Sequence, residues 1–308
     1  MVKRQITMEV TVATNLLSEP RLTMSASDAA IQTQTQDLQA VPLTLEGYSV
    51  LHQMARFRWA EWRKLPQSQK DEIIREATAT LADMESGGLS AMFSMLGHKA
   101  DLMFVHFRDS FEELNVAELR LNGLALQDFL EPTTSYLSVI ELGLYESTIK
   151  LYRTLAERGV EPHSEEWNTA VKDTMERQKQ AMAVRLFPKI PSTRYVCFYP
   201  MDRRRGEQHN WYTLPIEDRG RQLNEHGTVG RRYAESVKQI ITGSIGFDDW
   251  EWGVDLFANE PLVYKKLISE MRYDEVSAVY SNFGTFYVGV RVMGSSLGEL
   301  LSGKVPKL

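Results

Sequence analysis

The residues with the most chemistry to offer lie in RYVCFYPMDRRRG (194–206), HNWYTLP (209–215), EHGTVGRRYA (225–234), KQIITGSIGFDDWEWGVDLF (238–257) and MRYDEVSAVYSNFG (271–284). His226 comes first. The pattern predicts a helix over 215–225, closed by His226 with Gly227 just past its end. An imidazole there can interact with the negative end of the helix macrodipole. It can equally serve as a single axial ligand to a haem-type iron, because a porphyrin supplies the other four donors. No CxxCH is present, which excludes covalent c-type attachment. Tyr199 falls on a strand, on the same face as Tyr195, Cys197 and Met201. It reads either as a half-buried strand aromatic or as a phenol whose oxidised radical abstracts hydrogen. Tyr212 competes for that role, and spacing alone does not choose. Arg203, Arg204 and Arg205 read as a solvated loop that could also guide a carboxylate-rich ligand. Arg185, Arg272 and Ser277 are further possible carboxylate contacts. Gln239, on a strand, reads as a cross-strand polar residue or a site residue. Cys197 reads as a small packed apolar residue. His52, His98, His106, His163 and His209 have no metal-site spacing, and GxGxxG, Walker, GxSxG and HExxH motifs are absent.

These residues need a scaffold. The chain has 308 residues, 43% of them hydrophobic and 25% charged, with a net charge of −6. That is ordinary globular composition with enough material for a large core. Mild acidity argues against holding nucleic acid through overall charge. No run approaches a membrane span, and residues 1–17 make a poor signal peptide. One cysteine excludes an internal disulfide, so a reduced, cytoplasmic protein is expected. Residues 1–40 read as a flexible extension, with Met24 an alternative start. Over 41–150 the pattern predicts a strand at 45–57, a helix at 67–84, strands at 90–96 and 102–107, a helix from Phe111, and a strand at 136–145. That is the βαββαβ order of a ferredoxin-like unit. A charged connector helix is expected within 151–190. Residues 191–308 repeat the order, with strands at 194–201, 237–247, 251–257 and 285–293 and helices at 215–225 and 261–271. LGHKADLMFVHFRD (96–109) even matches IGFDDWEWGVDLFAN (245–259) by residue type. The expected fold is α+β: two tandem ferredoxin-like units forming a barrel-like sheet with outer helices.

The stretches YPMD, NWYTLP, EHGxxGRRYA, KQIITGSxGFDDxEWGVDLF and MRYDEVSAxYxxFGxFYVG closely resemble the coproheme decarboxylases of the bacillus type, within the chlorite-dismutase-like superfamily. The resemblance is strong over about 194–290 and weaker over 45–190, where RFRWAEWRKL fits an early strand-to-helix segment. It implies a homopentamer with one iron porphyrin per subunit, bound in the second unit. It also implies the reaction: hydrogen peroxide drives loss of two propionate carboxyls from iron coproporphyrin III (coproheme), giving haem b via harderohaem. On this pattern His226 is the proximal iron ligand, Tyr199 the catalytic tyrosine and Gln239 the distal polar residue. Arg185, Met201, Arg272 and Ser277 match positions near the propionates. Chlorite dismutases place arginine where this chain has Gln239, which counts against chlorite as substrate. A ferrochelatase is an expected transient partner. Two other readings use the same fold: a non-catalytic haem or porphyrin carrier or sensor, and a general haem peroxidase.

Overall fold

The computed structural model describes residues 41–305 and Lys307. The expected extension over 1–40, including Met24, lies outside the described residues.

The first unit opens with β1 (Thr44–Phe57), short α1 (Trp59–Lys64) and α2 (Gln67–Glu85). Strands β2 (Ser90–Met95) and β3 (Leu102–Arg108) form a hairpin, and α3 (Phe111–Asn122) leads to β4 (Leu130–Gly143). Two connecting helices follow, α4 (Tyr145–Glu157) and α5 (Glu165–Leu186). The second unit runs β5 (Tyr195–Arg203), α6 (Ile216–Arg232), β6 (Lys238–Gly243), β7 (Trp252–Ala258), α7 (Leu262–Met271), α8 (Glu275–Tyr280), β8 (Ser281–Phe283) and β9 (Tyr287–Val292), with α9 (Leu297–Leu301) closing the described chain.

Local chemistry explains most boundaries. The Ser110 side chain accepts from the Glu113 amide at 3.2 Å to cap α3, and Ser164 does the same for α5 from Trp167. Pro215 precedes α6, whose first turn carries Glu217 and Asp218 and whose last carries Arg231 and Arg232, as the macrodipole favours. The two matched segments of sequence occupy equivalent places, one at the β2–β3 turn and one at the β6–β7 turn. Their glycines, Gly97 and Gly246, have φ of +92° and +89°, a region open to glycine and costly for other residues.

All strand pairs are antiparallel, in the order β7-β6-β4-β1-β3-β2-β9-β5-β8. β5 also pairs β7 from Tyr195↔Ala258 to Met201↔Trp252, which closes the order into a ring. Each unit has the same internal order: β4-β1-β3-β2 in the first, β9-β5-β7-β6 in the second. They join through β2–β9 and β4–β6. Phe93, Met103, Val105, Phe198 and Phe257 fill the side where both units face each other. There the wholly buried His52 holds Asp255 at 3.0 Å and stacks on Phe198 at 4.1 Å, tying β1 to β5 and β7. The outer face of the first unit packs α2, α3 and α9 through Ala77, Leu81, Ala117, Leu121 and Leu297. The outer face of the second unit packs α6 and α7 through Val229, Tyr264, Leu267 and Met271.

Three expectations change. The strand at 136–145 begins earlier, at Leu130, and ends at Gly143; Tyr145 instead opens α4, a helix the sequence reading did not contain. The strand at 237–247 stops at Gly243, where Ser244 turns the chain by donating to the Leu137 carbonyl. The helix at 215–225 continues to Arg232, so His226 and Gly227 are interior to α6. The extra turns carry Gly227 and Gly230, beside the earlier Gly220, and each interior glycine costs about 1 kcal/mol in helix propensity. Tertiary packing outweighs that cost, because Val229 and Tyr233 seat the extra turns on the sheet.

Candidate functional site

The site is built on the outer face of the second unit's sheet. Alternation along β5 sends Cys197, Tyr199 and Met201 to this face. Register then sets neighbours: Tyr199 lies opposite Val254, which lies opposite Ile241, and Cys197 opposite Leu256, which lies opposite Gln239. Tyr199 and Gln239 are thus two strands and one step apart, on the order of 10 Å at the usual strand spacing. Helix α6 covers only part of this apolar face. Ile241 remains 42% exposed beside Gln239 and Val254.

Tyr199 is 6% exposed. Its ring stacks on Phe286 at 4.4 Å and lies 5.9 Å from Phe283. Burial pushes the phenol well above its ordinary value, while Arg272 and Arg203 pull the other way. Tyr199 therefore keeps its proton at neutral pH. What it can give up is a hydrogen atom or an electron with its proton. Tyr212 sits differently. It is 36% exposed and donates its hydroxyl to Glu251 at 2.6 Å, which ties the 204–214 loop to the start of β7. Burial and that carboxylate also raise its phenol. Cys197 is buried among the same apolar side chains, and burial pushes its thiol up to about 12, so it stays a neutral thiol.

His226 projects from α6 with 27% of its side chain exposed. Its Nδ1 lies 2.7 Å from Asp274 Oδ2 and 3.4 Å from Ser277 Oγ. Burial raises the Asp274 carboxyl, but hydrogen bonds from His226 and Ser277 and the imidazole's charge outweigh it and hold the group below its usual range. One turn further along α6 is Gly230. A Cβ there would meet Met271 Cε at 3.1 Å and Gln239 Nε2 at 3.3 Å. The helix thus approaches the Gln239 amide through a position without a side chain. Among the described residues no group of three or more His, Cys, Asp and Glu side chains could hold a metal. A metal at His226 must bring most of its own donors, as a porphyrin iron does.

The other expected residues divide. Met201 is buried on the Tyr199 face. Arg272 is exposed at the end of α7 with its guanidinium 3.5 Å from the centre of the Phe283 ring, beside Tyr199. Ser277 is buried on the imidazole side rather than over the sheet. Arg185 is not brought to this cluster. It is exposed in the last turn of α5 against Met182, where the α5 backbone at Leu186 lies against Gly47 of β1. The basic run is not a uniformly solvated loop: Arg203 ends β5, lies 4.9 Å from the Trp211 ring and donates to Ser281 Oγ at 2.7 Å. Sequence reading missed Asp274, Phe283 and Phe286. Asp274 carried one usable signal, the Asp-x-x-Ser spacing of a helix N-cap.

The chlorite dismutase family model matches residues 70–292. The chain belongs to the chlorite dismutase family. It is 41% identical over 266 residues to the coproheme decarboxylase of Staphylococcus saprophyticus, covering 85% of this chain and 98% of that protein. It is 39% identical to a Natronomonas pharaonis protein named for heme binding, covering 85% of this chain and 42% of that one. Among solved structures, a heme-binding protein of Thermus thermophilus superposes with a TM-score of 0.72 at 36% identity, covering 86% of this chain and 98% of that one. A chlorite dismutase of Candidatus Nitrospira defluvii superposes with a TM-score of 0.61 at 17% identity, covering 83% and 96%, and shares the family's fold. Among the described residues no helix is long and apolar enough to cross a membrane.

Proposed function

We propose that this protein is a coproheme decarboxylase. It uses hydrogen peroxide to remove two propionate carboxyls from iron coproporphyrin III, releasing haem b through harderohaem. One observation carries the reading: a ligand-ready imidazole on α6 and a buried, neutral phenol on β5 border the same partly uncovered apolar face, in a chain 41% identical to a coproheme decarboxylase.

The residues fit an iron porphyrin. Nδ1 of His226 is engaged with Asp274, which leaves Nε2 to bind iron. Gly230 lets α6 lie close against Met271 and the Gln239 amide, and Ile241, exposed beside Gln239, offers apolar surface to a flat ring. The iron porphyrin, at once substrate and redox centre, supplies the oxidising power when it reacts with peroxide. The protein supplies position. Tyr199 holds its hydroxyl hydrogen until it is oxidised, and its oxygen then takes a hydrogen from the propionate carbon β to the carboxyl. Loss of CO2 and of one further electron, which the peroxide-oxidised porphyrin would take up, would leave a vinyl group. The Phe283 and Phe286 rings fix the phenol, and such fixing matters because a misplacement of about 1 Å can cost about 100-fold in rate. Gln239 places an amide that can hydrogen-bond peroxide. Arg272, beside Phe283, reaches out to hold a propionate by a charge-assisted bond. Met201, Ser277 and Arg185 complete the proposed propionate surroundings, Arg185 by its resemblance to the family pattern alone, since it lies against Met182 at the end of α5. A cytoplasmic homopentamer, served transiently by a ferrochelatase, is the proposed setting.

The test is the porphyrin's mass after purified protein, iron coproporphyrin III and peroxide are mixed. Two successive losses of one formic-acid equivalent are expected. An unchanged mass favours the carrier reading, and dye oxidation without mass loss favours the peroxidase.

A further inference from the structure

The two matched turns grip each other's units. The β6–β7 turn of the second unit holds the last strand of the first: Ser244 Oγ donates to the Leu137 carbonyl, and Asp248 Oδ2 accepts the Leu137 N–H at 3.1 Å. The β2–β3 turn of the first unit holds the last strand of the second. The Leu96 N–H donates to the Val288 carbonyl at 2.9 Å, and the Lys99 ammonium donates to the Phe286 carbonyl. Lys99 and Asp248 stand at the same place in the matched sequences, LGHK (96–99) and IGFD (245–248). Duplication accounts for a turn at each place. It does not account for the change of charge: the aspartate takes a backbone N–H, whereas the lysine takes a carbonyl.

The residue being held is what distinguishes the second grip. Phe286 stacks on the Tyr199 ring, with centroids 4.4 Å apart and planes 26° apart. Before it, the Gly284 N–H donates to the Pro200 carbonyl at 2.9 Å, and a Cβ on Gly284 would meet Pro200 Cγ at 2.8 Å. After it, Tyr287 enters β9 opposite Phe198. The Lys99 bond falls between these two anchors, on the carbonyl of Phe286 itself.

We propose that Lys99 is a positioning residue for Tyr199. Reaching across from the first unit, it fixes the Phe286 backbone and so the ring against which the phenol is seated. This rests on the reading of Tyr199 as the residue that abstracts hydrogen. The bond is exposed, so its loss should barely change stability. Hydrogen abstraction is far more sensitive to placement, since a shift of about 1 Å can cost about 100-fold in rate.

Lys99→Met keeps the aliphatic stem and removes the donor. Three readouts are needed: thermal melting of the apo protein, NMR shifts of the Tyr199 ring in the apo protein (assigned by their loss in Tyr199→Phe), and kcat and KM for iron coproporphyrin III with peroxide. In Lys99→Met the expected results are unchanged melting, ring shifts moved toward those of an unstacked tyrosine, an unchanged KM and a kcat lower by about tenfold. Phe286→Leu, with Lys99 in place, should move the same ring shifts. Lys99→Arg, which still donates, should return both shifts and kcat toward wild type. Wild-type ring shifts or wild-type kcat in Lys99→Met, together with lost conversion in Tyr199→Phe, would overturn this inference alone. So would a loss of kcat that Lys99→Arg does not recover. Full conversion by Tyr199→Phe would overturn the reading beneath it.

Discussion

At the scale of single residues, the division of labour follows environment more than residue type. Two tyrosines compete on composition, yet one is sealed among phenylalanines and the other, partly exposed, is hydrogen-bonded to the buried Glu251 carboxylate. Arginines divide in the same way. Arg203 is spent on the scaffold, against Trp211 and Ser281, while Arg272 is exposed beside Tyr199. Arg272→Ala should therefore weaken the four-carboxylate substrate more than the two-carboxylate product. A charge-assisted hydrogen bond contributes about 1.5–3 kcal/mol, or roughly tenfold or more in Kd. Titration of the quenching of protein fluorescence by each porphyrin measures it. Equal weakening of both ligands would mean that Arg272 acts by packing on Phe283. His226, Tyr199 and Gln239 were legible in the sequence because they sit within long motifs. Asp274 was not, because its partner lies on another helix and no local spacing rule reports a contact across 48 residues. Arg203 was misread for a related reason: a run of three arginines looks solvated until two aromatic rings close on its first member.

At the scale of elements, α6 shows how a site can be bought with helix propensity. Gly227 looks like a helix stop, where the sequence reading ended the helix, and Gly230 follows it one turn later. The structure carries α6 through them because Val229 and Tyr233 pack on the sheet, and Gly230 leaves room against Gln239. Gly230→Leu tests the trade. The added side chain should stabilise an isolated helix by about 1 kcal/mol but fill the approach to Gln239. Expected are a folded protein by circular dichroism and at least a tenfold loss of iron-porphyrin affinity. Undiminished affinity would show that the ring does not pass this position. Most strands were legible from alternation and from turn glycines such as Gly97 and Gly246, whose φ values other residues resist. Helix α4 was not, because the apolar run through Leu142, Leu144 and Tyr145 continues smoothly from strand into helix.

At the scale of the molecule, the duplication and a barrel-like sheet were legible, and the strand pairings that close it were not. Each unit's βαββαβ order can be read along the chain, whereas β2–β9, β4–β6 and β5–β7 pairing depends on two units meeting. The buried outer face of the first unit, to which β3 sends His106, Phe104 and Leu102, also sets a pH limit. Burial, with help from Arg108 and His52, lowers His106 to about 3. The unfolded chain then binds more protons than the folded one below the ordinary histidine value of 6.5. Stability is therefore full above pH 6.5 and is lost as pH falls toward 3. At pH 4.5 the loss from this group should be on the order of 3 kcal/mol. Urea unfolding of wild type and His106→Gln at pH 7 and 4.5 checks it; parallel losses in both would assign the acid sensitivity elsewhere. The reaction itself is best tested by removing one oxygen atom. Tyr199→Phe keeps the ring against Phe286 and removes the hydrogen that the phenol can lose. With iron coproporphyrin III and peroxide, this variant should bind the porphyrin as wild type does, consume peroxide, and yield less than about one hundredth of the haem b, on the scale expected when a reacting group is lost. Tyr212→Phe should convert its substrate nearly as well as wild type. Haem b formed at the wild-type rate by Tyr199→Phe would contradict the central assignment.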